Sequence, residues 1–412
     1  MSLTYNLNAQ TGESSACATA LLCGVKANYE TLGLDGRAGF ENCSSSLGAK
    51  VSSVLEWAQD AGKWTGIVTT TRITHATPAA LFAHAASRYW EDDSKIPPAS
   101  RKTCKDIALQ LVDNLPGRDI NVLLGGGRRH WLPTVTKDPE EPSLEGRRLD
   151  GRNLIEDWLR DKKRRKLRAE YVWNGEQMQN IDTDKVDHLL GLFEYSHMGF
   201  AADREDSPAS DPTLEEMTIT ALNILEKSPK GFFLMVEGGR IDHAHHFNNP
   251  YRALDETLQL EAAVRAAVNR ADLLLVTADH GHVMTVGGHG APREHPILGK
   301  SKYFAILRVN LPFHFRKKKN RKLKFKNWPK IVDFLWCVRP GEKYLCIPPI
   351  EMQGHGSIVR LERSKDFPQP ASPLRLATQL VDSFATNTKT NIIPRTQTPM
   401  LIPKRSDPLG VT

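Results

Sequence analysis

Asp242, His243, His245 and His246 fall within five positions of a 412-residue chain. Asp242 and His246 are four apart, so one helical turn would set a carboxylate and an imidazole on one face. One hard oxygen and one borderline nitrogen at that spacing suit a divalent zinc ion. A second set, Asp279, His280 and His282, begins 37 positions after Asp242. Two such sets side by side imply a pair of metals. Metals about 3.5–4 Å apart can clamp the attacking and leaving oxygens of phosphoryl transfer. The competing reading is a solvated polar turn, which four such residues directly behind a Gly pair make the weaker one.

The elements that must position these groups are legible around them. The apolar runs 232–236 and 273–276 have the length and composition of buried strands. Glu237 and Gly238-Gly239 follow the first run, and Asp279 closes the second. In open α/β sheets ligands bind at that carboxyl edge. A third strand, 65–71, ends in the ligand-rich stretch 72–78, which holds His75 and Thr77. The pattern then predicts a helix over 79–86 that reaches Arg88. That guanidinium is either a bidentate phosphate holder or a plain surface charge. Residues 120–127 read as a strand with a glycine-rich exit. This exit lacks the Lys-Ser/Thr of a phosphate-binding P-loop, so it is read as a structural turn.

Residues 8–24 read as a loop entering a helix of small residues, with Ser14 and Ser15 at its start. Serine there is commonly an N-cap. A serine at a helix N-terminus beside a metal is also a nucleophile that needs no histidine base. The metal-type clusters downstream favour the nucleophile. Elsewhere the pattern predicts helices over 51–62, 186–194, 213–227 and 250–270, a charged solvated segment over 161–168 and a loop over 208–212. Strands alternating with helices argue for an α/β fold with a mostly parallel central sheet and helices on both faces.

Composition sets the outer bounds. The length suits one large α/β domain or two smaller ones. There is no run of 18 apolar residues, so no membrane span is expected. The first residues show neither the basic nor the apolar region of a signal peptide. The net charge of +7 is unevenly spread. Residues 309–412 hold 19 Lys/Arg against 7 Asp/Glu, and the first 308 hold 36 against 41. The basic run 316–326 comes with no nucleic-acid fold signature, and no nucleic-acid partner is expected. Residues 309–412 are basic, Pro-rich and without periodicity, and are expected to be a poorly ordered tail behind a domain at 1–308. The six cysteines have no zinc-finger spacing. Cys17 and Cys23 are expected to be buried thiols. Cys43 and Cys104 lie in polar stretches and are candidates to pair. Asn42-Cys43-Ser44 is formally a glycosylation sequon.

The chain resembles the alkaline phosphatases, especially the animal enzymes, over roughly residues 4–308. The resemblance rests on Thr4-Tyr-Asn, Leu22-Cys-Gly-Val-Lys-Ala-Asn28, Gly66-Ile-Val-Thr-Thr-Thr71, His75-Ala-Thr-Pro78, Gly125-Gly-Gly-Arg128, Leu189-Leu-Gly-Leu-Phe-Glu194, Val236-Glu-Gly-Gly-Arg-Ile-Asp-His243 and Val276-Thr-Ala-Asp-His280. It implies Ser14 as the phosphorylated nucleophile and Arg88 as the phosphate-binding arginine. It implies Asp242 and His246 as ligands of a first zinc, and Asp279 and His280 as ligands of a second. Thr77 and Glu237 would hold magnesium, with His75 close by. Phe193, Glu194 and Asp211 would hold calcium, with Glu140 as a fourth member. Cys43 and Cys104 would form a disulfide, which implies an oxidising compartment. The resemblance further implies phosphate monoester substrates, a homodimer and an extracellular or cell-surface location.

The chain also departs from the family pattern. Glu13 stands where the family has Asp before the nucleophile. The family's Asp-Gly-Met-Gly strand end, its late His-Gly-Gly histidine, its signal peptide and its anchor signal have no counterpart here. Gln353-Gly-His355-Gly is a faint echo of the histidine motif. The expected sheet is therefore incomplete at both ends. Three readings follow from this: a phosphomonoesterase with two zincs, one magnesium and a phosphoserine intermediate; a related sulfate-ester or phosphodiester hydrolase; or an inactive truncated isoform or faulty gene model. Arg88 and a serine nucleophile favour monoesters.

Overall fold

Five segments become the parallel strands of one sheet: β1 (Trp64–Arg72), β2 (Val122–Gly126), β3 (Ala169–Val172), β4 (His188–Leu192) and β5 (Phe232–Glu237). The structure is a computed structural model that describes residues 4–204, 207, 210–283 and the strands at 334–338 and 359–362. The strand order is β3-β4-β2-β1-β5, every pair parallel. Strand β6 (Leu273–Thr277) runs in the same direction as β5. Between them lies β7 (Phe334–Val338), antiparallel to both, and β8 (Val359–Glu362) pairs antiparallel with the far side of β6. The sheet is the mostly parallel one that the alternation predicts. The strands β7 and β8 come from the stretch beyond residue 308 in which the sequence pattern assigns no element. The rest of that stretch, with His355, lies outside the described residues.

The strands bury both faces, as helices on two sides require. Ile67, Leu123, Phe233 and Met235 point into one core with Leu22, Leu55, Leu111 and Trp158. Val68, Leu124, Leu234 and Val236 point into the other with Met217, Leu222 and Leu260. The first face is covered by the helices Ser14–Cys23, Val54–Asp60, Ile107–Asp113 and Leu154–Arg164. The second is covered by Leu214–Leu225 and Pro250–Ala267. Each fully buried Leu or Ile contributes about 1.5–3 kcal/mol. No helix among the described residues is long and apolar enough to cross a membrane.

Three local expectations are corrected. Residues 188–192 form β4, not part of a helix. Val186, Leu189, Leu190 and Phe193 mimic helical spacing, but a strand buried on both faces loses its alternation. Here a Cβ on Gly191 would stand 2.5 Å from the Phe193 ring and 2.7 Å from Leu124. The helix expected over 79–86 stops at Ala79. Leu32 and Ala85 exchange two backbone hydrogen bonds of 2.9 Å, and this long-range bridge outweighs alanine's helix propensity. The segment 161–168 is not simply solvated. Its start closes the Leu154–Arg164 helix, and Lys162 is buried with its ammonium donating to the Arg118 carbonyl.

Candidate active site

Strands β1, β5 and β6 end on one edge, and the residues singled out by the sequence gather there. Ser14 opens its helix, but Glu13 is the cap, accepting from the Ser15 and Ala16 amides at 2.9 and 2.8 Å. Neither serine is spent on capping. Ser14 Oγ lies 3.1 Å from His280 Nε2. Glu13 also accepts from Arg88 Nη1 at 2.8 Å, and Arg88 Nη2 donates to His75 Nε2 at 3.2 Å. Arg88 is only 16% exposed, so it is not a surface charge. Burial pushes the Glu13 pKa up, but Arg88 and the helix-start donors outweigh it and hold the carboxyl below its usual range.

Asp242 and His246 share a face of the helix Arg240–His246, which starts directly behind β5. The turn needs glycine: a Cβ on Gly239 would stand 2.4 Å from Thr71 Cγ2. Asp242 Oδ2 is 3.5 Å from His246 Nε2, and Asp242 Oδ1 accepts from His282 Nε2. Burial raises the Asp242 pKa, yet the His282 hydrogen bond and the neighbouring His280 and His246 hold it at about 2. Asp279 is buried, and its Oδ2 is 3.3 Å from His280 Nε2. Burial raises Asp279. His280 is raised as well, because Asp279 and Asp242 outweigh its burial. The two sets are therefore joined through the His282–Asp242 contact.

Glu237, at the end of β5, accepts from Thr69 at 2.5 Å, from Thr71 at 3.2 Å and from Thr77. Burial, reinforced by Asp279, pushes its pKa up to about 7. A buried carboxylate ringed by hydroxyls, with no basic side chain against it among these contacts, suits a hard cation such as magnesium. The carboxylate–imidazole sets suit zinc.

The sequence reading missed His197. With His75 and His243 it forms a trio whose ring nitrogens lie within 4.8 Å of one another. Burial, with the surrounding arginines, depresses all three, His243 to about 4. His197 follows a strand end by the same logic that marked Asp242. The signal was lost because β4 reads as a helix. Arginines 88, 72 and 240 each contact one ring of the trio, so these nitrogens largely serve as acceptors.

Farther along the same edge, just past β4, Glu194 lies close enough to Asp211 to be repelled by it. Burial first, then Asp211 and Glu140, push Glu194 up to about 8; burial and Glu140 push Asp211 to about 6. Such a set suits calcium. Glu140 pairs with Arg128, and the Phe193 ring packs in the core. Cys43 and Cys104 form a disulfide with Cα atoms 5.9 Å apart, and Cys17 and Cys23 are buried free thiols.

Residues 1–310 match the alkaline phosphatase family. The tissue-nonspecific alkaline phosphatase isozyme of Gallus gallus is 48% identical over 304 residues, 72% of this chain and 57% of that relative. The corresponding human isozyme is 45% identical over 329 residues, 76% of this chain and 62% of its own length. The membrane-bound alkaline phosphatase of Bombyx mori is 45% identical, covering 72% of this chain and 54% of itself. The chain thus spans 54–62% of the length of these relatives. Among solved structures, Thermus thermophilus alkaline phosphatase aligns with a TM-score of 0.52 at 30% identity, covering 68% of this chain and 50% of that one. The cold-active enzyme of a Shewanella species aligns at 0.50 and 26%, covering 68% and 57%.

Proposed function

This chain belongs to the alkaline phosphatase family, and from that membership we propose that it hydrolyses phosphate monoesters with Ser14 as the nucleophile. The observation that carries this reading is the Ser14 Oγ to His280 Nε2 approach of 3.1 Å between groups 266 residues apart. Ser14 Oγ would form a bond to phosphorus as the ester P–O bond breaks and the alcohol departs. Water would then attack the phosphoserine and release phosphate and the free hydroxyl. Arg88 would hold two phosphoryl oxygens while Glu13 keeps its guanidinium in place.

Asp242 and His246 would hold one zinc, Asp279 and His280 a second, and Thr77 and Glu237 magnesium, with His75 nearby. Bound cations would lower the serine pKa and offset charge on the phosphoryl oxygens. Glu140, Phe193, Glu194 and Asp211 would hold calcium in a structural role. A homodimer at a cell surface is the proposed assembly, and a relative named as membrane-bound supports the location.

The test is turnover and trapping. With zinc and magnesium supplied, the chain is expected to hydrolyse p-nitrophenyl phosphate. An acid quench with radiolabelled phosphate should label the peptide that holds Ser14. Ser14→Ala should lose both signals and keep the melting temperature. A labelled Ser14→Ala variant would refute the assignment.

A further inference from the structure

We infer that Asn42 carries an N-linked glycan whose first sugar ring packs on Phe40. This rests on the oxidising compartment that the Cys43–Cys104 bridge implies, not on the phosphatase reading. Asn42-Cys43-Ser44 is the one Asn-x-Ser/Thr triplet in the sequence with a middle residue other than proline. Its structural role uses only half of the Asn42 amide. Asn42 caps the short helix Cys43–Ser46, with Oδ1 accepting from the Ser45 amide at 3.2 Å and from the Ser44 hydroxyl at 2.8 Å. Among the described residues Nδ2 has no hydrogen-bond partner, and Asn42 is exposed. A glycan on Nδ2 leaves the carbonyl oxygen in place, so capping and modification coexist on one side chain.

The surroundings suit a sugar. Glu41 turns the chain at φ 56°, a left-handed conformation uncommon outside glycine, and its amide donates to the Ala86 carbonyl at 2.8 Å. On either side of this turn, Phe40 and Asn42 line one cleft with Ser44, Ala99 and Ser100. Its volume of about 390 Å³ is that of a small-ligand site. The Phe40 ring is 40% exposed and is steadied by an edge contact with Tyr89, the centroids 6.4 Å apart. The face of a phenyl ring is electron-rich and attracts the C–H groups of a sugar. A plain helix cap accounts for the bonds to Oδ1, but not for the spare nitrogen beside an open aromatic cleft. The glycan donor would be a lipid-pyrophosphate-linked oligosaccharide, with a transferase of the secretory lumen as catalyst. Asn42 Nδ2 would form a bond to the sugar C1 as the C1–O bond to the pyrophosphate breaks. Nδ2 loses one proton, and the lipid pyrophosphate leaves with the electron pair.

The experiment directs the full chain into the secretory lumen of cultured mammalian cells with an added signal peptide and recovers it from lumen and medium. Peptide-N-glycosidase in H₂¹⁸O is expected to lower the mass of the chain in one step and convert the modified Asn42 to an ¹⁸O-labelled aspartate. Ser44→Ala should lose that label although Asn42 and its amide remain, which separates enzymatic release from spontaneous deamidation. Asn42→Asp should keep the cap and carry no glycan. Glycan removal should lower the melting temperature of the wild type more than that of Phe40→Ala, and the difference reads the sugar–ring contact. A lumenal chain with Asn42 unmodified would overturn the inference and leave the phosphatase reading standing. An equal melting shift in both proteins would overturn the placement of the sugar on Phe40.

Discussion

Glu13 joins the start of the Ser14–Cys23 helix to Arg88 through a single carboxylate, capping two amides and accepting a 2.8 Å ion-pair hydrogen bond. The nucleophile's helix and the guanidinium are thus held in one frame. Glu13→Ala removes the cap, worth about 0.5–2 kcal/mol, and frees Arg88. Urea unfolding should shift by that amount, and inhibition by inorganic phosphate should weaken. If both stay at wild-type values, the frame is not held by Glu13.

Arg88→Lys keeps the charge but loses the planar fork. A charge-assisted hydrogen bond contributes about 1.5–3 kcal/mol, so kcat/KM for a phosphate monoester should fall about 10–150-fold. A variant with wild-type kcat/KM would argue that Arg88 does not touch the phosphoryl group.

The carboxylates of Glu194, Asp211 and Glu237 have folded pKa values raised to about 8, 6 and 7. In the metal-free protein the folded chain then keeps protons that the unfolded chain has released. Its stability should fall as pH rises from about 4.5 to about 8. Calcium and magnesium should reverse this at pH 8 by replacing the protons. Differential scanning calorimetry between pH 5 and 8, with chelator or with cations, reads the effect. Glu194→Gln should flatten the chelated profile, and an equally steep profile in that variant would assign the titration elsewhere.

Arg128 and Asp138 form an ion pair of 2.9 Å with neither side chain exposed. Arg128→Met leaves the Asp138 charge buried without its partner and should cost about 3–5 kcal/mol. Chemical denaturation would show this as a lower midpoint with an unchanged slope. A loss under 1 kcal/mol would mean that water or another group compensates.

The Cys43–Cys104 bridge spans 61 positions. Replacing both cysteines with serine should lower stability by about 2–4 kcal/mol. Cys17 and Cys23 should stay unreactive toward thiol reagents in the folded protein, because burial raises both thiols, Cys23 to about 12. Rapid labelling of either thiol in the bridged, folded protein would contradict their burial.

The amino-acid sequence by itself determined the apolar strands over 232–236 and 273–276, the helical spacing of Asp242 and His246, and the α/β alternation. These are local properties: an apolar run, a glycine pair and a four-residue period each act over a few neighbouring residues. The tertiary structure decided what lies across long separations. It placed His280 against Ser14, made Glu13 rather than a serine the cap, and brought His197 to His75 and His243. It also made residues 188–192 a strand and set β7 between β5 and β6. A strand covered on both faces has no polar side to show its period, and a neighbour in space carries no mark in the sequence that records its partner.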